Sequence, residues 1–74
     1  MPEPLSDATR VLGERVRARR QALGLSQEAM ADRIGVHWTF LGQVERGQRN
    51  LNLHNLVKIA HGLGLDPGEL VHKL

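Results

Sequence analysis

The sequence predicts an all-α fold, and three observations lead to this prediction. Aromatic residues make up only 3% of the 74 residues, and aliphatic side chains supply most of the 41% that is hydrophobic. This mixture favours helices over strands. Apolar residues recur three or four positions apart, which is the period of an α-helix. Glycine follows four of these periodic segments, where a helix typically ends.

The first two predicted helices have recognisable starts and stops. The first begins at Ser6 and ends at Gly24, with an apolar stripe formed by Leu5, Ala8, Leu12, Val16 and Leu23. Ser26 is a good N-cap for a second, shorter helix, which ends at Gly35. Both helices are therefore bounded by a capping residue and a glycine.

Three further helices follow. The third runs from about Trp38 to Arg46 and stops at Gly47. Asn52 caps the fourth, whose stripe before Gly64 comprises Leu53, Leu56, Val57, Ala60 and Leu63. The segment 66–74 begins with an N-cap, a proline at the first helical position and an acid at the third, an arrangement close to a capping box: Asp66, Pro67 and Glu69. The expected architecture is five short helices in a single domain over residues 1–74.

Residues 27–46 have the spacing of a helix-turn-helix. Ala31 is a small residue within the first of the two helices, where their backbones approach, and Gly35 between them tolerates a positive φ in the turn. Leu25 with Met30 can form a hydrophobic staple at the start of the second helix. An ordinary αα-hairpin is the alternative interpretation of the same spacing.

These residues also carry a family resemblance. The segments Leu25-Ser26-Gln27-Glu28, Val44-Glu45-Arg46-Gly47, Ile59-Ala60 and Leu63-Gly64, with Ala31, Gly35 and Val36, resemble the lambda-repressor-like XRE family of DNA-binding domains. The resemblance covers about residues 10–72. Thr39-Phe40-Leu41-Gly42, Glu45-Arg46-Gly47 and Arg49-Asn50-Leu51 are most similar to the small controller proteins of restriction–modification systems. The family resemblance implies a five-helix lambda-repressor-like domain that binds double-stranded DNA.

The third helix is the expected base-contacting element. At 100° per residue, Thr39, Gln43 and Arg46 form a polar stripe opposite the apolar side of the helix. Gln43 can make a bidentate pair with adenine, and Thr39 can contact a base edge or a thymine methyl group. Trp38 opens this helix, where related controllers often carry arginine. Its ring has three possible positions: stacked on a sugar, against a thymine methyl group, or folded over the second helix.

Phosphate contacts are expected from residues around this helix. Gln27 matches the family's backbone-binding glutamine and begins a helix whose free N–H groups suit an anion. Arg46, Arg49 and Asn50 follow the third helix, and Arg17 adds charge from the first. For each residue alone, a solvated side chain is an equally good interpretation.

Two other pairings are predicted. Arg20 and Glu45 each continue an apolar stripe, so both charges point inward, and a mutual salt bridge avoids a costly unpaired buried charge. The C-terminal helix, about 66–74, is expected to form a symmetric dimer. Its candidate interface residues are Leu65, Leu70, Val71 and Leu74. A monomer whose fifth helix completes the core is the alternative.

Several other classes of function are excluded by the composition. The sequence contains no cysteine, so disulfides, thiolate catalysis and Cys-based zinc sites are ruled out. His54 and His61 are about 10 Å apart along a helix, too far to share one metal ion. No nucleophile–base pair, carboxylate pair or phosphate-binding loop is present, so we expect neither an enzyme nor a cofactor. No segment approaches the length of a membrane span.

The predicted function is a sequence-specific regulator that binds a palindromic operator as a homodimer. The resemblance to controller proteins implies that it controls its own restriction–modification operon. The expected location is cytoplasmic, and RNA polymerase is a further candidate partner. Two alternatives remain open: a small phage-type repressor, or an antitoxin or adaptor that uses the same fold to bind a protein.

Overall fold

The computed structural model describes residues 3–74, and these residues confirm the predicted all-helical architecture. The five helices are α1 (Asp7–Ala22), α2 (Gln27–Ile34), α3 (Trp38–Glu45), α4 (Leu53–Gly62) and α5 (Pro67–Val71). None of these helices has both the length and the apolar character needed to cross a membrane.

The helix starts are those that the sequence predicts. The side chains of Ser6, Ser26 and Asn52 each accept a hydrogen bond from the backbone N–H three residues later. Asp66 and Glu69 form a complete capping box, with Glu69 Oε2 accepting from the Asp66 N–H at 2.8 Å. These bonds satisfy backbone donors that would otherwise be unpaired at the helix ends.

Two glycines allow helices to approach closely, and the sequence analysis missed both. A Cβ at Gly13 in α1 would lie 2.4 Å from the carbonyl oxygen of Val44. A Cβ at Gly62 in α4 would overlap the side chain of Ile34 in α2. Gly13 therefore fixes the contact of α1 with α3, and Gly62 that of α4 with α2.

The core is formed by one cluster of buried aliphatic side chains from all five helices: Leu12, Val16, Met30, Ala31, Ile34, Leu41, Val44, Ile59, Ala60, Leu63 and Leu70. The predicted stripe of α4 needs a correction here. Leu53 is 74% exposed, whereas Ile59 is fully buried. The buried face of α4 is rotated toward Ile59, which leaves Leu53 at its outer edge.

The short helix α5 is tied to the rest of the chain. Leu70 is 1% exposed and belongs to the core, so its side chain is unavailable to a partner subunit. This corrects its assignment to a dimer interface. Leu65 packs partly against the same core, whereas Val71 and Leu74 are exposed. The guanidinium of Arg15 also donates to the Leu70 carbonyl at 3.0 Å.

Candidate nucleic-acid interface

The helices α2 and α3 are joined by a tight turn. Gly35 ends α2 in the left-handed conformation, with φ of 75°, as the sequence analysis expected. The Val36 N–H then donates to the Ala31 carbonyl at 3.0 Å. Ala31 itself is buried, so its small side chain lets the two helices meet. The result is a helix-turn-helix unit with α3 as its second helix.

One side of α3 is packed in the core and the other is open. Leu41 and Val44 are buried, whereas Thr39 and Arg46 are exposed and Gln43 is half-buried. Within residues 3–74, the side chains of Thr39 and Gln43 have no hydrogen-bond partner. Their polar groups are therefore available to base edges.

His37 and Trp38 form a stacked pair at the head of α3. The Nδ1 atom of His37 accepts a hydrogen bond from the Thr39 N–H at 3.1 Å, so histidine provides the N-cap. The His37 and Trp38 rings stack with centroids 5.8 Å apart. The indole remains 52% exposed. Trp38 thus lies half exposed at the start of α3, next to Glu28 and Asp32 of α2.

The predicted ion pair between Arg20 and Glu45 lies beneath this unit. Arg20 Nε donates to Glu45 Oε2 at 2.7 Å, and Arg20 Nη2 donates to Glu45 Oε1 at 3.0 Å. The remaining Nη1 donates to the Leu25 carbonyl at 2.8 Å. These bonds to Glu45 raise the pKa of the Arg20 guanidinium above its ordinary value. The pair joins α1 to the end of α3 and to the turn before α2.

Gln27 extends this network toward the surface. Its Nε2 donates to Glu45 Oε1 at 3.1 Å, which leaves a second amide hydrogen and the Oε1 atom free to bind elsewhere. A Cβ at Gly42 would lie 3.2 Å from Arg46 Nη1 and 3.5 Å from Gln27 Oε1. Gln27 and Arg46 therefore converge above the bare backbone of Gly42. One phosphate group could bind both.

The segment after α3 presents two more of the predicted phosphate-contacting residues. The guanidinium carbon of Arg49 lies 4.8 Å above the centre of the Phe40 ring. Phe40 is half-buried against the core, so it supports Arg49 from below. Asn50 is exposed beside Arg49. Sequence reasoning did not find this supporting contact, because Phe40 and Arg49 are nine positions apart.

Most arginines of α1 are committed to the protein itself. Arg10 pairs with Asp7 and Glu14, and Arg19 Nε donates to the Leu63 carbonyl at 3.0 Å. Among the arginines of α1, only Arg17 makes no hydrogen bond or ion pair within residues 3–74. The crowding of arginine in α1 therefore serves helix packing more than phosphate binding, whereas Arg17 is exposed and available.

The comparisons with known proteins agree with this geometry. The Helix-turn-helix family model HTH_3 matches residues 16–70. The control protein C.SmaI of Serratia marcescens is 38% identical over 65 residues, which are 88% of this chain and 77% of that protein.

Two solved structures share this fold. The restriction-modification controller protein C.AhdI of Aeromonas hydrophila has a TM-score of 0.84 and 43% identity, over 88% of this chain and 98% of that one. The c2 repressor of Salmonella phage P22, solved with a synthetic operator, has a TM-score of 0.78 and 34% identity, over 84% of this chain and 94% of that one. The predicted resemblance is confirmed, and the chain belongs to the helix-turn-helix family of the XRE type.

Proposed function

We propose that this protein is a sequence-specific regulator of transcription that binds double-stranded DNA with α3 in the major groove. The observation that carries the proposal is the open side of α3, where Thr39 and Gln43 have unpaired polar side chains. In helix-turn-helix proteins, the second helix places such side chains against base edges. Trp38 at its head completes the proposed base-contacting set.

The proposed phosphate contacts surround this face. Gln27 and Arg46 meet above Gly42, and Arg49 with Asn50 follow α3. Arg17 contributes from α1. Contacts of this kind set the orientation of the protein on DNA and supply affinity without sequence preference. The similarity to the P22 c2 repressor, which was solved with an operator, supports this arrangement.

The functional form in this proposal is a symmetric homodimer on a palindromic operator. One recognition helix contacts only a few base pairs, and two half-sites about one DNA turn apart supply the missing selectivity. The exposed apolar side chains Val71 and Leu74 of the C-terminal segment, with half-buried Leu65, offer a surface for pairing. An isologous contact brings each patch against its own copy.

The similarity to C.SmaI and C.AhdI supports a controller of a restriction–modification operon. In this role the protein binds the operator of its own operon. Because only the dimer binds tightly, the occupied fraction of the operator depends steeply on protein concentration. RNA polymerase is the second proposed partner of the bound dimer. Run-off transcription with purified polymerase measures how the bound dimer changes the amount of transcript.

Selection of binding sequences from a random duplex library tests the proposal. The expected result is one enriched sequence with twofold symmetry and half-sites about 10 base pairs apart. Enrichment of no sequence would overturn the DNA-binding function and would favour a protein-binding role on the same fold, such as an antitoxin or adaptor.

A further inference from the structure

Trp38 presents a preorganised apolar surface at the head of α3. The large ring is half exposed, although aromatic side chains are usually buried. It stacks on His37 at an interplanar angle of 26°, and His37 is itself held by the Thr39 N–H. The ring is therefore positioned before any partner arrives, so little conformational entropy is lost when it binds.

The polar atom of this ring is also unused. Among residues 3–74, none accepts a hydrogen bond from the indole Nε1 of Trp38. An indole nitrogen can donate but cannot accept. Trp38 thus offers one hydrogen-bond donor next to a flat apolar surface.

In the major groove, thymine alone displays an acceptor, O4, next to a methyl group. Cytosine has an N4 amino donor at the equivalent place, which an indole N–H cannot bind. We propose that Trp38 is a specificity-determining residue that selects thymine, through an N–H to O4 hydrogen bond and an apolar contact with the C5-methyl group. This inference rests on the proposed DNA-binding function.

The surroundings of Trp38 favour a base edge over the sugar–phosphate backbone. Glu28 and Asp32 on α2 line the same shallow depression as Trp38. Two carboxylates repel a phosphate group, whereas the edge of a base pair carries no net charge. Stacking of the indole on the backbone is therefore disfavoured on this side.

The test uses the operator that the parent protein selects from a random duplex library. A parallel selection with Trp38→Ala identifies the contacted position, where we expect the thymine preference to disappear. The operator is then synthesised with thymine, uracil, 5-methylcytosine or cytosine at that position in each half-site, paired with the complementary purine. These four bases vary the O4 acceptor and the C5-methyl group independently.

The parent protein should bind the uracil operator about fourfold more weakly per half-site, the effect of one buried methyl group. It should bind the 5-methylcytosine operator more tightly than the cytosine operator by a similar factor. Trp38→Phe should keep both methyl effects but lose the preference for thymine over 5-methylcytosine. Leu53→Ala, which removes another exposed apolar side chain, should leave all four affinities in the parent order.

Two negative outcomes are distinguishable. If the parent selects an operator but Trp38→Ala selects the same sequence, or the four bases bind equally well, the thymine assignment is wrong and the DNA-binding function stands. If the parent protein selects no sequence, the function and the assignment are both overturned.

Discussion

Arg20 and Glu45 face each other across the α1–α3 contact through two hydrogen bonds, of 2.7 and 3.0 Å. Their side chains are only 11% and 2% exposed, and within residues 3–74 no buried side-chain polar atom lacks a partner. Because the folded-state pKa of Arg20 is raised, its contribution to stability is complete below the unfolded-state pKa. It is lost only as pH rises through the raised value. The Arg20 guanidinium thus stays charged at neutral pH.

Removing one partner of this pair should destabilise the fold strongly. Glu45→Ala leaves the Arg20 charge buried without its carboxylate, and we expect a loss of about 3–5 kcal/mol in the free energy of unfolding. Urea titration followed by circular dichroism measures this loss. Glu14→Ala is the matched control, because its ion pair with Arg10 is exposed and should contribute little to stability. Equal effects of the two substitutions would contradict the account.

A methyl group at Gly13 should also destabilise the protein. In an ordinary helix interior, Gly→Ala stabilises by about 1 kcal/mol. Here the Cβ would meet the backbone oxygens of Val44 and Glu45 at 2.4 and 2.6 Å, so α1 and α3 must separate. Gly13→Ala should therefore cost about 1–3 kcal/mol, as overpacking does. A variant more stable than the parent in a thermal melt would show that the helices are not in close contact.

Base recognition should depend on Gln43. Replacing it with alanine removes an unpaired amide from the open face of α3, and we expect a loss of about 1–3 kcal/mol in binding to the selected operator. Preference should relax at one position per half-site. Fluorescence anisotropy with the operator and its single-base variants measures both effects. Unchanged affinity and preference would assign base readout to another face.

Arg46 should contribute to affinity for any sequence. Arg46→Ala should weaken operator and random duplexes alike, because a phosphate contact carries no base information. The slope of log K against log salt should become shallower by about 0.9 for each phosphate that the variant no longer neutralises. Lys73→Ala removes the same charge at the C-terminal end of the chain, away from α3, and should leave the slope unchanged. A weakening confined to the operator would instead place Arg46 on a base edge.

Dimerisation should depend on the C-terminal segment. Val71→Asp places a charge in the proposed apolar contact and should shift the protein toward monomer in light scattering at micromolar concentration. Leu53→Asp is the matched control, because Leu53 is more exposed than Val71 but lies on α4. If only Leu53→Asp dissociated the dimer, the interface would lie on α4. If the parent is monomeric both free and on its operator, the dimer model fails.

The sequence predicts the helices well because their signals are local. A cap such as Asn52 and a left-handed glycine such as Gly35 act within a few residues. The Arg20–Glu45 pair is predictable for a similar reason, since each charge continues the apolar stripe of its own helix. The helical period places both charges in the interior, and because an unpaired buried charge is costly, each charge requires a partner.

Features that depend on how the helices pack are not predictable in the same way. Gly13 lies against the backbone of α3, and Gly62 lies against the Ile34 side chain of α2. Both contacts join residues far apart in the sequence, so no local pattern indicates them. The burial of Ile59 in place of Leu53 reflects a small rotation of α4. Likewise, Arg19 donates a hydrogen bond to the Leu63 carbonyl at the end of α4, a contact that the local charge pattern does not indicate.

The central claim is that two copies of α3 enter successive major grooves on one side of the DNA, and hydroxyl-radical footprinting on the selected operator tests it most directly. Protection should fall in two symmetric segments about 10 base pairs apart on one face of the duplex. Dimethyl sulfate should show reduced reactivity at major-groove guanines within each segment. A single protected segment, or unaltered reactivity of those guanines, would contradict the account.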